Sequence, residues 1–162
     1  MIVYRTMRNG KLIGSMMAGL CVAGPALLVN ARFAIADAPP GRYAIAAGEV
    51  TDTQTGLVWQ QGISPGEGVT WAGATTYCSS LNLNNHVWRV PTLRELETLV
   101  DESKTPAIDL TAFPNAPSHW SFWTSDVFTG AMDNAWVVDF AYGFTFGYGI
   151  DALGPRFVRC VR

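Results

Sequence analysis

Residues 84–101 read NNHVWRVPTLRELETLVD, and the order of local signals within them decides how the chain around them folds. HVWRV (86–90) has the β-branched and aromatic content of a short strand. Period two puts Trp88 and Val90 on one face and Arg89 on the other. Pro91 cannot donate to a ladder, so the strand stops there. Thr92 followed by Glu95 three residues later is a capping box, which opens a helix. Pro91 and Leu96 stand at the two positions of a hydrophobic staple. Leu93, Leu96 and Leu99 or Val100 form one apolar stripe, with Arg94, Glu95 and Glu97 largely outside it. Glu95, Glu97, Asp101 and Glu102 then read as a solvated helix face and helix end. Arg89 points to water or to a carboxylate beneath a loop. An ion pair or a carbonyl clamp is the expected role, with ligand contact the alternative.

The start of the chain reads as an export signal. MIVYRTMRNGK carries Arg5, Arg8 and Lys11, the apolar run LIGSMMAGLCVAGPALLV follows, and Ala34-Ile35-Ala36 matches an A-x-A cleavage site before Asp37. Residues 1–36 are therefore expected to be a secretory signal, with an uncleaved anchor as the alternative. Three glycines and Pro25 disfavour a spanning helix, and translation from Met7 would give a tidier basic region. The signal holds four of the eleven basic residues and none of the thirteen acidic ones, so the mature chain carries a net charge of −6. Such a charge argues against nucleic acid or an anionic membrane surface as partner. Cys21 leaves with the signal. Cys78 and Cys160 remain, and in an exported chain they read as one disulfide, with two free thiols as the alternative.

The mature chain, 126 of the 162 residues, suffices for one domain. Residues 37–49 read as a short leader without periodicity. EVTDTQTGLVWQQ (49–61) gives two extended pieces around a turn, with Asp52 bonding forward and Gly56 free to turn left-handed. TWAGATTYCSSLN (70–82) is a helix capped by Thr70, with Trp71, Ala74, Cys78 and Leu81 on its apolar side. Residues 102–119 contain three prolines and read as a long ordered loop. WSFWTS (120–125) and NAWVVDF (134–140) are strands, and RFVRCVR (156–162) closes the chain as another, beside the first helix. Trp136, Phe140, Tyr142, Phe144, Phe146 and Tyr148 all fall at even positions. Gly143, Gly147 and Gly149 break the run, so a hairpin is expected to turn near Ala141–Gly143. Trp71, Trp88, Trp123 and Trp136 are assigned to the core.

The segments DTQTGLVWQ, WAGATTYCSSLN, WRVPTLRELETLVD, FPN, WSFWTS, AWVVDF and FVRCVR occur in the order found in a known family. Over about residues 50–162 the chain resembles the Lcl C-terminal domain family, named for the C-terminal domain of the Legionella collagen-like adhesin. The resemblance implies an exported bacterial domain and, for the adhesin, binding to sulfated glycans. The W-R-[LV]-P-T-x-x-E turn is also similar to a segment of formylglycine-generating enzymes. That similarity implies a C-type-lectin-like α+β fold, with two helices flanking short irregular antiparallel sheets and long ordered loops. Two departures stand out. Asn84-Asn85-His86-Val87 replaces the family's Gly-Tyr-Ser-Asp, which removes a local acid for Arg89. GYGIDALG replaces basic residues near Gly149, so sulfated-glycan binding does not carry over with the fold.

Most signatures of catalysis are missing from the sequence. There is no H-E-x-x-H, P-loop, G-x-G-x-x-G or C-x-x-C. His86 and His119 lack metal-ligand spacing, and FPN and WVVD are only fragments of a lectin calcium motif. A non-enzymatic module without cofactor or metal is expected. Its ligand would be a carbohydrate or another cell-envelope component, held on Tyr142, Phe144, Phe146 and Tyr148. The alternative is a structural or assembly protein of the envelope whose aromatics make protein contacts, oligomers included. In either case the protein would be secreted or periplasmic, with no stable membrane anchor after cleavage.

Overall fold

The computed structural model describes residues 40–116, 121–130, 133–150 and 156–162. The signal segment, Cys21, His119 and Trp120 lie outside the described residues. Strands β1 (Tyr43–Ala46), β2 (Glu49–Asp52) and β3 (Val58–Gln60) form one antiparallel sheet in the order β1-β2-β3. Helices α1 (Trp71–Ser80) and α2 (Leu93–Glu97) follow. Strands β4 (Ser121–Val127), β5 (Asn134–Asp139) and β6 (Phe144–Gly149) form a second antiparallel sheet, again in sequence order. The architecture is α+β: two short helices with two small three-stranded sheets.

Both helix starts follow the sequence signals. The Thr70 side chain accepts from the Gly73 amide, and the capping box of Thr92 and Glu95 is complete in both directions. The β2–β3 turn is also as expected, with the Gln54 amide donating to Asp52 and Gly56 at φ +74°. The expected β5–β6 hairpin turns at residues 140–143, where Gly143 takes φ +76°.

Other expectations need correction. The leader contains β1, which a tight turn through Ala47 (φ 51°) and Gly48 (φ 80°) folds onto β2. Two left-handed residues mark a type I′ turn, but alanine there gives no Asn-Gly signal, so the strand was hidden. HVWRV is not a strand. It contributes a single bridge, Arg89 to Val161, because the chain turns into α2 immediately afterwards. RFVRCVR likewise makes isolated bridges rather than one ladder. Its backbone pairs in turn with Val69, with Ser121 and Trp123, with Ser64, with Val58 and Gln60, and with Arg89. The closing segment is a seam that ties both sheets and the α1–α2 connection together. Asp101 is buried, accepting from Ser103 and pairing with Lys104 at 3.3 Å, not solvated.

Two apolar clusters fill the domain. The first gathers Trp59, Leu96, Leu99, Phe113, Phe122 and Phe140; the second gathers Cys78, Trp88, Trp123, Ala135, Val137 and Cys160. Neighbours in one strand serve different clusters, Phe122 against Trp123 and Val138 against Val137, as period two requires. The second sheet thus has a core on each face. Trp88 and Trp123 are buried as expected, whereas Trp71 and Trp136 are half-buried. Trp71 keeps an edge in solvent because its indole N–H donates to the Thr124 carbonyl (2.9 Å) at the rim. Trp136 lies at the border with Phe128 edge-on against it, ring centroids 4.7 Å apart.

Candidate functional site

Three sets of residues singled out by the sequence find defined places. Cys78 and Cys160 form a disulfide that joins α1 to the closing segment, with Cα atoms 5.5 Å apart. It sits in the second cluster, both cysteines fully buried. The link spans 82 residues, so it removes a large part of the unfolded chain's freedom.

Arg89 finds its carboxylate in Glu95, through two parallel hydrogen bonds of 2.7 Å. The same Glu95 accepts from the Thr92 amide (2.8 Å), closing the capping box. One carboxylate therefore anchors the helix start and replaces the local acid that this sequence lacks. The Arg89 guanidinium first, and the Thr92 amide with it, outweigh the opposing effect of burial and hold the Glu95 carboxyl down at about 2. The Arg89 side chain is half exposed, so the pair is partly screened, and its value lies in geometry as much as in energy.

The aromatic row is the third set. Tyr142, Phe144, Phe146 and Tyr148 follow one another at ring separations of 5.9, 5.8 and 6.5 Å. Phe144, Phe146 and Tyr148 point to the face that β5 lines with Val137 and Ala135, since Phe146 pairs with Val137 and Tyr148 with Ala135, and Tyr142 precedes them in the turn. That face is the second core cluster, so the row is the core carried outward along a strand. At its inner end Tyr148 rests 5.9 Å from Trp123, with the Arg156 guanidinium 3.8 Å above its ring. Phe146 and Tyr148 both pack against the cluster. At its outer end Phe144 is 49% and Tyr142 73% exposed. Their planes lie within 12° of each other, so the pair presents ring faces in a common orientation. Of the four rings expected to meet a ligand, two are free to do so fully and two also hold the domain together.

The hairpin tip is firmly held. The Gly143 amide donates to the Asp139 carbonyl (2.8 Å), the Ala141 amide to the Asp139 carboxylate (2.7 Å), and the Ala107 amide to the Phe140 carbonyl (2.6 Å). A Cβ on Gly143 would approach Val100 Cγ1 to 3.0 Å and Ala107 Cβ to 3.2 Å, so the 100–107 loop is packed directly on the turn. Beside them opens a groove of about 790 Å³, lined by Gly143, Phe144 and Thr145 of the hairpin and by Glu97, Val100, Glu102 and Ser103.

Sequence reasoning missed Arg159. It is fully buried, its Nη1 donating to the carbonyls of Gln60 (2.9 Å), Gln61 and Gly62 (3.0 Å). Its guanidinium carbon lies 4.6 Å from the Phe113 ring centroid. Burial pushes its pKa down to about 9. This is the carbonyl clamp that the sequence suggested for Arg89. Val158, Arg159, Cys160 and Val161 are all buried, so no alternation marked the arginine as internal. Among the described residues no three of His, Cys, Asp and Glu converge as metal ligands.

The fold and this surface define a small, disulfide-braced α+β domain with one aromatic row running from its core to an exposed hairpin tip. The chain belongs to the Lcl C-terminal domain family, whose model matches residues 48–162. No curated protein matches it.

Proposed function

We propose that the protein is an exported, non-catalytic binding module, and that the outer end of the aromatic row receives a carbohydrate of the cell envelope or its surroundings. The carrying observation is the Tyr142–Phe144 pair: near-parallel, exposed, and mounted on a turn held by two backbone hydrogen bonds and a third from the Ala141 amide to the Asp139 carboxylate. Exposed rings on a rigid support suit the C–H faces of sugars, because little order must be gained on binding. The family's adhesin and the lectin-like architecture implied by sequence resemblance support the same reading. A signal at 1–36 and the disulfide between Cys78 and Cys160 fit a secreted or periplasmic protein without a lasting membrane anchor. Neither nucleic acid nor a cofactor is needed for such a role.

Stacking on neutral rings is little affected by salt, unlike attachment to a sulfated polymer. A glycan array probed with the purified protein should give hits that persist at about 0.5 M salt, where the screening length is roughly 4 Å. The same protein should sediment as one species across the concentrations used. Absence of any glycan hit, together with self-association that Tyr142→Ala abolishes, would instead identify the exposed rings as an assembly surface.

A further inference from the structure

The groove beside the Tyr142–Phe144 pair bears on which sugar is taken. Its lining includes Glu97 at the end of α2 and Glu102 in the following loop, both exposed. Neither forms a salt bridge among the described residues. The nearest lysine in sequence, Lys104, is already shared between Asp101 and Asp109 at 3.3 Å each. No cationic side chain lines the groove. Glu102 is rooted at the hairpin tip itself, its Cγ lying 3.7 Å from where a Cβ on Gly143 would stand. The groove thus has one aromatic ring, Phe144, and two carboxylates in its lining, with Tyr142 beside Phe144 at its edge.

We propose that this groove selects an amino sugar with free, protonated amines, in preference to its N-acetylated or sulfated counterparts. The inference rests on the binding-module reading and names the ligand class of the same surface. The Phe144 ring in the groove, with Tyr142 beside it, can cover the apolar face of a pyranose, and aromatic rings favour a cation placed over them. The carboxylates that also line the groove accept hydrogen bonds from an ammonium or from hydroxyls, and only the ammonium gains by charge. A sulfate or uronate in the same place would meet two like charges, in a chain whose residues 37–162 sum to −6. Because the groove is open to water, each ammonium–carboxylate contact should contribute a factor on the order of five in affinity. A basic peptide could satisfy the carboxylates but would leave the paired ring faces largely unused.

The test is calorimetric titration of the full mature protein with four probes: a glucosamine hexamer, its N-acetylated counterpart, oligolysine and heparin. The buffer should be acidic enough to protonate the sugar amines. The glucosamine hexamer should bind at least fivefold more tightly than the acetylated one, and the difference should narrow at high salt. The double variant Glu97→Gln, Glu102→Gln should bind both hexamers alike, at the affinity of the wild type for the acetylated form. Equal wild-type affinities for the two hexamers would overturn the amine selectivity while leaving sugar binding at the ring pair intact. Binding of oligolysine or heparin without either hexamer would overturn both.

Discussion

The two ends of the aromatic row share an amino-acid class and a spacing, yet they differ in support. At the inner end, in β6, Tyr148 is wedged against Trp123 and covered by Arg156. At the outer end, in the turn before β6, Tyr142 lies beside Phe144 and is 73% exposed. Nothing in the spacing of the aromatics distinguishes them. What differs is what lies opposite. The inner rings face Ala135 and Val137 over the second cluster, whereas β5 has ended before Tyr142. A period-two pattern reports which face a side chain is on, and only the neighbouring element decides whether that face is covered.

The largest expected effect sharpens the comparison from the core side. Cys160→Ser or Cys78→Ser opens the link between α1 and the closing segment, and each should cost about 2–5 kcal/mol of stability. Chemical denaturation under oxidising conditions measures this directly. A mature protein with two titratable thiols would remove the premise.

Tyr148→Ala comes next. It deletes a half-buried ring, its contact with Trp123 and the surface under Arg156, for about 2 kcal/mol, below the loss from a fully buried aromatic. An unchanged melting curve would mean that the inner end is as unsupported as the outer one.

Thr92→Ala should cost about 1 kcal/mol, since the Glu95 amide loses its acceptor at the start of α2. The same capping box supplies a pH dependence. The Glu95 carboxyl is held at about 2 in the folded protein, below its ordinary value, so its contribution is complete above the ordinary carboxylate range. It is lost as the pH falls from about 5 towards 2. Burial raises the Asp52 carboxyl, but the hydrogen bonds from Arg42 and the Gln54 amide are among those that together outweigh it, so Asp52 is lowered too and adds to the same acid loss. Glu95→Gln should therefore show a shallower fall in melting temperature on acidification than the wild type.

Much of this was legible in the sequence, for identifiable reasons. Both helix caps, the Asp52 turn and the Gly143 hairpin are local chemistry, and a few adjacent residues suffice to specify each of them. Single-bridge pairings such as Arg89 with Val161 depend on residues 72 positions apart and leave no local periodicity. The replacement of a missing loop acid by Glu95 was hidden for another reason. Glu95 already had a role in the capping box, and only its position in space shows that one carboxylate serves two partners. Arg159 is the sharpest case, because charge alone places it outside while three carbonyls and an aromatic ring place it inside. The groove beside Phe144 required the packing of the 100–107 loop on Gly143, which joins segments about 40 residues apart.

The central claim is that the outer end of the row binds while the inner end supports. Tyr142→Ala and Tyr148→Ala, titrated against the best glycan from the array and melted in the same buffer, test it together. Tyr142→Ala should weaken binding about tenfold, as expected for the loss of a stacking ring of roughly 1.4 kcal/mol, and shift stability by less than about 0.5 kcal/mol. Undiminished binding by a folded Tyr142→Ala protein would contradict the account.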